Sequence, residues 1–166
     1  MPQLYPVAGA KIFIGPAVTS VPDDGDISAS NFSSVVWTEV KGWQTMGAIG
    51  DAATLITESV ISSGRDLKAK GTRNAGSMQN NFIILPSDVG QIALIAAEKT
   101  DFNYPFKIEF DDAPPTGTSP EGTIKYFYGI VMTAQENGGG ANTARLISGN
   151  IEINSPIITV APTTGA

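Results

Sequence analysis

The chain contains no cysteine and no histidine. Without cysteine there is no disulfide, no thiolate nucleophile and no sulfur ligand for zinc. Without histidine the usual general base and the commonest metal ligand are missing too. Charge is also scarce, at 16% of the residues against roughly 25% in typical soluble domains. The charge present leans acidic, for a net −6, which argues against general affinity for nucleic acid. No run of residues approaches the roughly 20 apolar positions of a membrane helix. No basic-then-apolar leader opens the sequence, so neither an export signal nor a membrane partner is expected.

With 166 residues, one domain with its own core is the expectation. Eighteen glycines and eleven prolines point to many turns. A surface so poor in charge is cheap to desolvate, which suits burial against other subunits; a merely Ser/Thr/Asn-rich surface accounts for the composition equally well.

Residues suited to chemistry are sparse. Asp23-Asp24 and Asp111-Asp112 are paired acids, but neighbours on a strand point to opposite faces and cannot flank a glycosidic bond. The acids at 23–26 sit in a Pro- and Gly-bearing stretch and read as turn chemistry rather than a cation site. Gly138-Gly139-Gly140 lacks the lysine and following helix of a phosphate loop. No Ser-x-x-Lys offers a lysine base to a serine. No catalytic, metal or cofactor-binding residue is assigned, and no enzyme or cofactor is expected.

The organising stretch is residues 77–99. A short apolar run at 81–85 reads as a strand stopped by Pro86. Asp88 offers a cap to a helix over residues 87–99, and Gln91 is placed to complete a capping box. Val89, Ile92 and Ala96 recur at helical spacing and are the expected core face, with Leu94 and Ile95 widening the stripe. Gly90 in the first turn costs roughly 1 kcal/mol relative to alanine, so close backbone packing is expected there.

Elsewhere the pattern is strand-like. Residues 11–14 form a first strand, and residues 35–45 a second with Trp37 and Trp43, interrupted at Gly42. Tyr104, Phe106, Ile108 and Phe110 alternate with Lys107, Glu109 and Asp111, so one face is buried and one wet. Residues 124–133 show little polar alternation and are expected to be covered on both faces. Residues 135–142 read as a hairpin tip, followed by strands at 145–153 and 157–160. Residues 1–9 read as an irregular arm, 47–74 as a long irregular loop with a strand-like stretch at 54–61, and 161–166 as a loose tail. The sum is a mainly β fold, a sandwich or open barrel of about seven or eight strands with one flanking helix.

Within the long loop, Arg65, Lys68, Lys70 and Arg73 are four of the ten basic residues. Simple alternation puts Lys68 and Lys70 on one face and Arg65 and Arg73 on the other. A nucleic-acid patch, a solvated loop and a docking loop for an acidic neighbouring subunit all remain open.

The order of these elements, with Lys70-Gly71-Thr72-Arg73-Asn74-Ala75-Gly76 followed by Ser87-Asp88-Val89-Gly90-Gln91-Ile92-Ala93-Leu94, resembles the major tail tube proteins of long-tailed, non-contractile bacteriophages. The resemblance spans about residues 10–160. It implies a structural virion protein, assembled in the host cytoplasm, forming hexameric rings that stack into a tube. Partners would be further copies and the tape-measure, terminator and tip proteins, with genomic DNA passing along the lumen without specific binding. An acidic chain suits such a channel. The basic run at Arg65, Lys68, Lys70 and Arg73 then becomes the expected ring-stacking contact. Two other readings are a tube subunit of a contractile tail or secretion apparatus, and a carbohydrate-binding module with Trp37 and Trp43 as a sugar platform.

Overall fold

The computed structural model describes residues 3–165; Met1 and Pro2 of the expected arm and Ala166 of the expected tail lie outside the described residues. In chain order the strands are β1 (Lys11–Ile14), β2 (Thr38–Glu39), β3 (Trp43–Thr45), β4 (Ala52–Glu58), β5 (Leu67–Asn74) and β6 (Ser77–Ile83). The helix α1 (Val89–Glu98) follows, then β7 (Tyr104–Glu109), β8 (Ile124–Asn137), β9 (Leu146–Ile153) and β10 (Ile158–Val160). Eight strands make the main sheet, in the order β2-β1-β7-β8-β9-β6-β3 with β10 also on β8; β4 and β5 pair separately. The expected mainly β architecture with a flanking helix is the one observed. No helix among the described residues is long and apolar enough to cross a membrane.

Connectivity makes this sheet curl. Its two edges, β2 and β3, are joined by residues 40–42 alone. Seven strands laid flat at about 4.8 Å would put those edges about 29 Å apart. Four Cα steps from Glu39 to Trp43 reach at most about 14 Å. The sheet therefore rolls into a half-barrel, and its concave side is the core. Phe82, Phe106, Phe127, Met78, Ile108 and Ile151 are completely buried there. The alternation expected of β7 holds, with Phe106 and Ile108 inside and Tyr104 and Phe110 packed at the core's margin.

The helix seals the seam between the two edges, and it does so with a different face from the one its apolar spacing indicates. Val89, Ile92 and Ala96 are exposed; Gly90, Gln91, Leu94 and Ala97 are buried. The reason is what α1 packs against. A Cβ at Gly90 would collide with the Glu39 carbonyl and the Val40 backbone, so the first turn rests directly on the peptide joining β2 to β3. One step on, the Gln91 side chain serves three backbone groups. Its Nε2 donates to the carbonyls of Lys41 (2.7 Å) and Ile83 (2.8 Å), and its Oε1 accepts from the Leu85 amide at 2.9 Å. Gln91 therefore does not close a capping box. Asp88 caps alone, accepting from the Gln91 amide at 2.9 Å and also from the Lys41 amide at 3.2 Å.

The convex side of the sheet is only half covered. Over β7 and the start of β8, the segment 17–37 lays Ile27 and Phe32 onto Tyr128, with Trp37 and Tyr126 against them. Thus β8 is buried on both faces through Phe127 and Tyr128, whereas Met132, within the stretch 124–133 expected to be covered on both faces, is exposed because the cover of segment 17–37 ends before it. The tail is not loose within the described residues: Glu121 and Thr163 exchange backbone hydrogen bonds at 2.9 and 3.0 Å. The loop carrying Glu121 is closed by Asp112, whose carboxylate accepts from the amide and hydroxyl of Thr123.

Two outcomes are expected. Leu94→Ala should cost about 2–5 kcal/mol in thermal or denaturant unfolding, whereas Ile92→Ala should change subunit stability by only about 0.5 kcal/mol; equal losses would restore Ile92 to the core. The Thr123 hydroxyl and then its amide hold the Asp112 carboxyl below its ordinary value of 3.8. A group with a depressed folded value contributes in full above the unfolded value and is lost as pH falls through the folded one. The Thr123 amide resonance should therefore move with protonation of Asp112 below pH 3.8, and an amide that stays still through acid titration would show that the clasp does not hold in solution.

Candidate functional site

Where an irregular loop was expected, residues 52–74 form a regular antiparallel hairpin. Ala53 faces Arg73, Leu55 faces Lys70, Ile56 faces Ala69, Thr57 faces Lys68 and Glu58 faces Leu67. The β-branched stretch ahead of Ser62-Ser63-Gly64 and the run after it are the two strands. At the turn, Ser59 Oγ donates to Asp66 Oδ1 at 2.7 Å and Ser63 Oγ to the Arg65 carbonyl at 3.1 Å.

The register changes which basic residues share a face. A bulge sets Gly71 and Thr72 against the single residue Thr54, and one inserted residue reverses the alternation beyond it. Cross-strand partners share a face, so Arg73 joins Lys68 and Lys70 through Ala53, Leu55 and Thr57, contrary to simple alternation. Arg65 stays outside the strand in the turn. The opposite face carries Ile56, Leu67 and Ala69 together with Glu58, the partner of Leu67. The hairpin is thus amphipathic, basic on one side and largely apolar on the other, yet all of its strand residues are exposed except half-buried Gly71. Its base is anchored by Arg73 Nε to Asp51 at 3.6 Å, beside an open cleft also lined by Asp24, Asn154 and Ser155.

A second unfinished surface is a sheet edge. Strand β8 pairs with β7 only from Ile124 to Gly129. On its other side β10 and β9 accompany it to Asn137. Residues 130–137 therefore have one edge with no strand beside it, a template for pairing with another chain.

The two tryptophans do not form a platform. Trp37 lies in the convex cluster, 6.4 Å from Phe32 and 6.0 Å from Tyr126 between ring centroids, with Lys107 Nζ 5.5 Å above it. Trp43 belongs to the concave core and donates through Nε1 to Asn80 Oδ1 at 3.1 Å. They occupy opposite faces of the sheet, so one sugar cannot stack on both. Of the paired acids, Asp112 is engaged in its loop clasp, and burial raises Tyr126 and Tyr128 above the ordinary tyrosine range.

No family model matches the chain, and no curated protein matches its sequence. Among solved structures, a chain of the six-fold symmetrised baseplate of the anti-feeding prophage superposes with TM-score 0.67 at 8% identity, over 97% of this chain and 98% of that one. A chain of the sheath/tube terminator of an extracellular contractile injection system gives 0.65 at 10% identity, over 96% and 99%. The SPP1 tail tube gives 0.64 at 14% identity, over 94% and 80%. At such identities the shared property is the fold, and it is shared nearly end to end.

A two-stranded ribbon packed on nothing is marginally stable in water. Hydrogen exchange of the isolated subunit should therefore be fast along β4 and β5 and slow in β6, β8 and β9. Equal protection in the ribbon and the main sheet would mean that the arm is stable without any partner.

Proposed function

We propose that this chain is a structural tail tube subunit that self-assembles into stacked hexameric rings. The observation that carries the reading is the amphipathic arm β4–β5, left bare on both faces, on a fold otherwise shared with tail and injection-tube chains. Both unfinished surfaces have a use in such an assembly. The free edge of β8 can be joined by a neighbour's sheet within a ring, and the arm can lie across the adjacent ring. One of the structures with this fold is six-fold symmetrised, which supports the choice of a hexamer. In the proposed particle the other partners are the tape-measure, terminator and tip proteins, assembly takes place in the host cytoplasm, and genomic DNA passes through the lumen without being bound.

Ring stacking is assigned to Lys68, Lys70 and Arg73 on the basic face, with Arg65 in the turn beside it. Exposed acids such as Asp23 and Asp24 on the next ring have the matching sign, whereas Asp112 is committed to its own loop. Exposed pairs contribute only about 0–1 kcal/mol each, but a ring repeats every pair around its circumference. Chains of a contractile injection system and of the SPP1 tail tube superpose equally well, so the likeness alone does not choose between a sheathed and a bare tube. A naked or sheathed tube in micrographs of the native particle separates the two.

Electron micrographs of the concentrated protein should show rings and tubes; sedimentation of monomer alone at every concentration and salt tested would overturn the proposal. Reversing Lys68 and Lys70 to Glu together should leave the subunit folded and weaken tube growth, as should added salt on the wild type. Normal growth of the reversed variant would remove the stacking role from these lysines.

A further inference from the structure

Asn137 ends β8 and is followed by Gly138, the first of three consecutive glycines. It is the only asparagine in the chain with glycine after it; every other asparagine precedes a residue that carries a side chain. The pair is chemically labile. The backbone nitrogen of the following residue can attack the asparagine Cγ, expelling the side-chain nitrogen as ammonia and closing a cyclic succinimide. Water then opens that ring at either carbonyl, giving aspartate or isoaspartate, the latter with the main chain running through the side-chain methylene. A side chain on the attacking residue hinders this approach, and glycine has none.

The structure leaves the reacting groups accessible. Asn137 is exposed, and its side chain is tied through Nδ2, which donates to Ser148 Oγ; among the described residues nothing donates to its Oδ1. A Cβ built at Gly138 meets nothing within 4 Å, so no neighbouring element crowds the tip. Ring closure requires Asn137 to leave the extended conformation, because on a strand the following amide is turned away from the side chain. Asn137 pairs with Leu146 of β9, and β7 has already ended at the level of Gly129, so this last rung is held from one side only. Such an end frays readily, and the glycines beyond it offer no resistance.

We infer that Asn137 is a site of spontaneous deamidation in the free subunit, and that the assembled tube closes it. The first half needs only the subunit. The second rests on the tube reading, in which a neighbouring sheet joins β8 along residues 130–137 and fixes Asn137 from both sides. The product is unfit for that joining. The Ser148 hydroxyl has one proton and gives it to Asn81 Oδ1, so a carboxylate at position 137 meets an acceptor where the amide met a partner. It also adds a charge beside Glu136, whose carboxylate is already engaged by Arg145 at 2.8 Å. A charge taken into a contact without a partner is costly. The isoaspartate form lengthens the backbone at the end of the strand and puts the last rung out of step. Subunits left unassembled therefore lose competence with age, while those already in the tube keep their amide.

Purified subunit and assembled tubes can be held in parallel at mildly alkaline pH, where the Gly138 amide is more readily deprotonated. The tryptic peptide 126–145 is then followed by mass spectrometry against a sample digested at the start. That peptide carries Asn142 as well as Asn137, so fragment ions assign the change and Asn142 is an internal control. In the free subunit Asn137 should convert to two separable products of equal mass before any other asparagine changes. In tubes the conversion should be slowed severalfold. Gly138→Ala should abolish it without loss of folding, since Gly138 has open space around it and no positive φ. Asn137→Asp should fold but enter tubes poorly. Conversion of Asn137 no faster than that of Asn142, or undiminished in Gly138→Ala, overturns the site. Equal conversion in tubes and free subunits, or normal growth of Asn137→Asp, overturns its closure by assembly while leaving the tube reading intact. Failure of the wild-type protein to form tubes removes the tube reading and the closure together, and conversion in the free subunit then decides the site alone.

Discussion

The structure depends on one closure, the seam where the first turn of α1 meets the peptide joining β2 to β3. The two edges of the main sheet come together only because residues 40–42 tie them, and every backbone group exposed by that tie has to find a partner. Asp88 takes the Lys41 amide, Gln91 takes the Lys41 carbonyl, and the Gly42 carbonyl takes the Ile83 amide at 2.7 Å. Gly42 has φ +78°, and a side chain there would meet the Ile83 carbonyl. With Gly90 pressed on Glu39 from the other side, two glycines and one glutamine hold the half-barrel shut. Buried Gln91, 2% exposed, is thus a structural linchpin rather than a polar residue awaiting a ligand.

Closing the sheet in this way divides its outer surface. The long strand β8 passes through both halves. Its first half lies beneath an aromatic cover in which Phe32 stacks at 4.9 Å on Tyr126 and 4.8 Å on Tyr128; its second half runs out from under that cover and loses its neighbour on one side. The free edge begins where β8 outlasts its partner β7, beyond Gly129. The arm β4–β5 is independent of this division, projecting from the rim with no fixed contact beyond its own base.

Much of this was legible in the sequence. The strand at 11–14, the alternation from Tyr104 to Phe110 and the double burial around residues 127–128 follow from side-chain periodicity, because in each the partner surface is made of side chains. The helix position followed from Asp88 and Pro86. Its buried face did not, because α1 packs its first turn against backbone, where the fitting residue is one with no side chain at all. A hydrophobic stripe cannot report such a contact, so Val89, Ile92 and Ala96 looked like core and are exposed. The arm was missed for a related reason: with neither face buried in the subunit, β4 and β5 lack a one-sided burial pattern, and the bulge at Gly71 breaks the alternation that remains. The cue was local, two β-prone runs around Ser-Ser-Gly.

Net charge alone misplaces the chemistry of the surface. The total is acidic, yet a carboxylate acts mainly on what lies near it, since its field is screened within about 8 Å at physiological ionic strength. Across β6, β9 and the second half of β8 the outward rows Gln79–Asn150–Thr133 and Asn81–Ser148–Gln135 carry amides and hydroxyls alone, with Glu152 the one carboxylate in the row beside them. Several of these groups already bond to one another, Ser148 to Asn81 and Ser77 to Asn150 among them. Such hydrogen bonds can be exchanged with water at little net change, since protein–protein and protein–water bonds are nearly equivalent there. The acidity of the chain is therefore carried away from this part of the sheet, and a count of charges does not describe it.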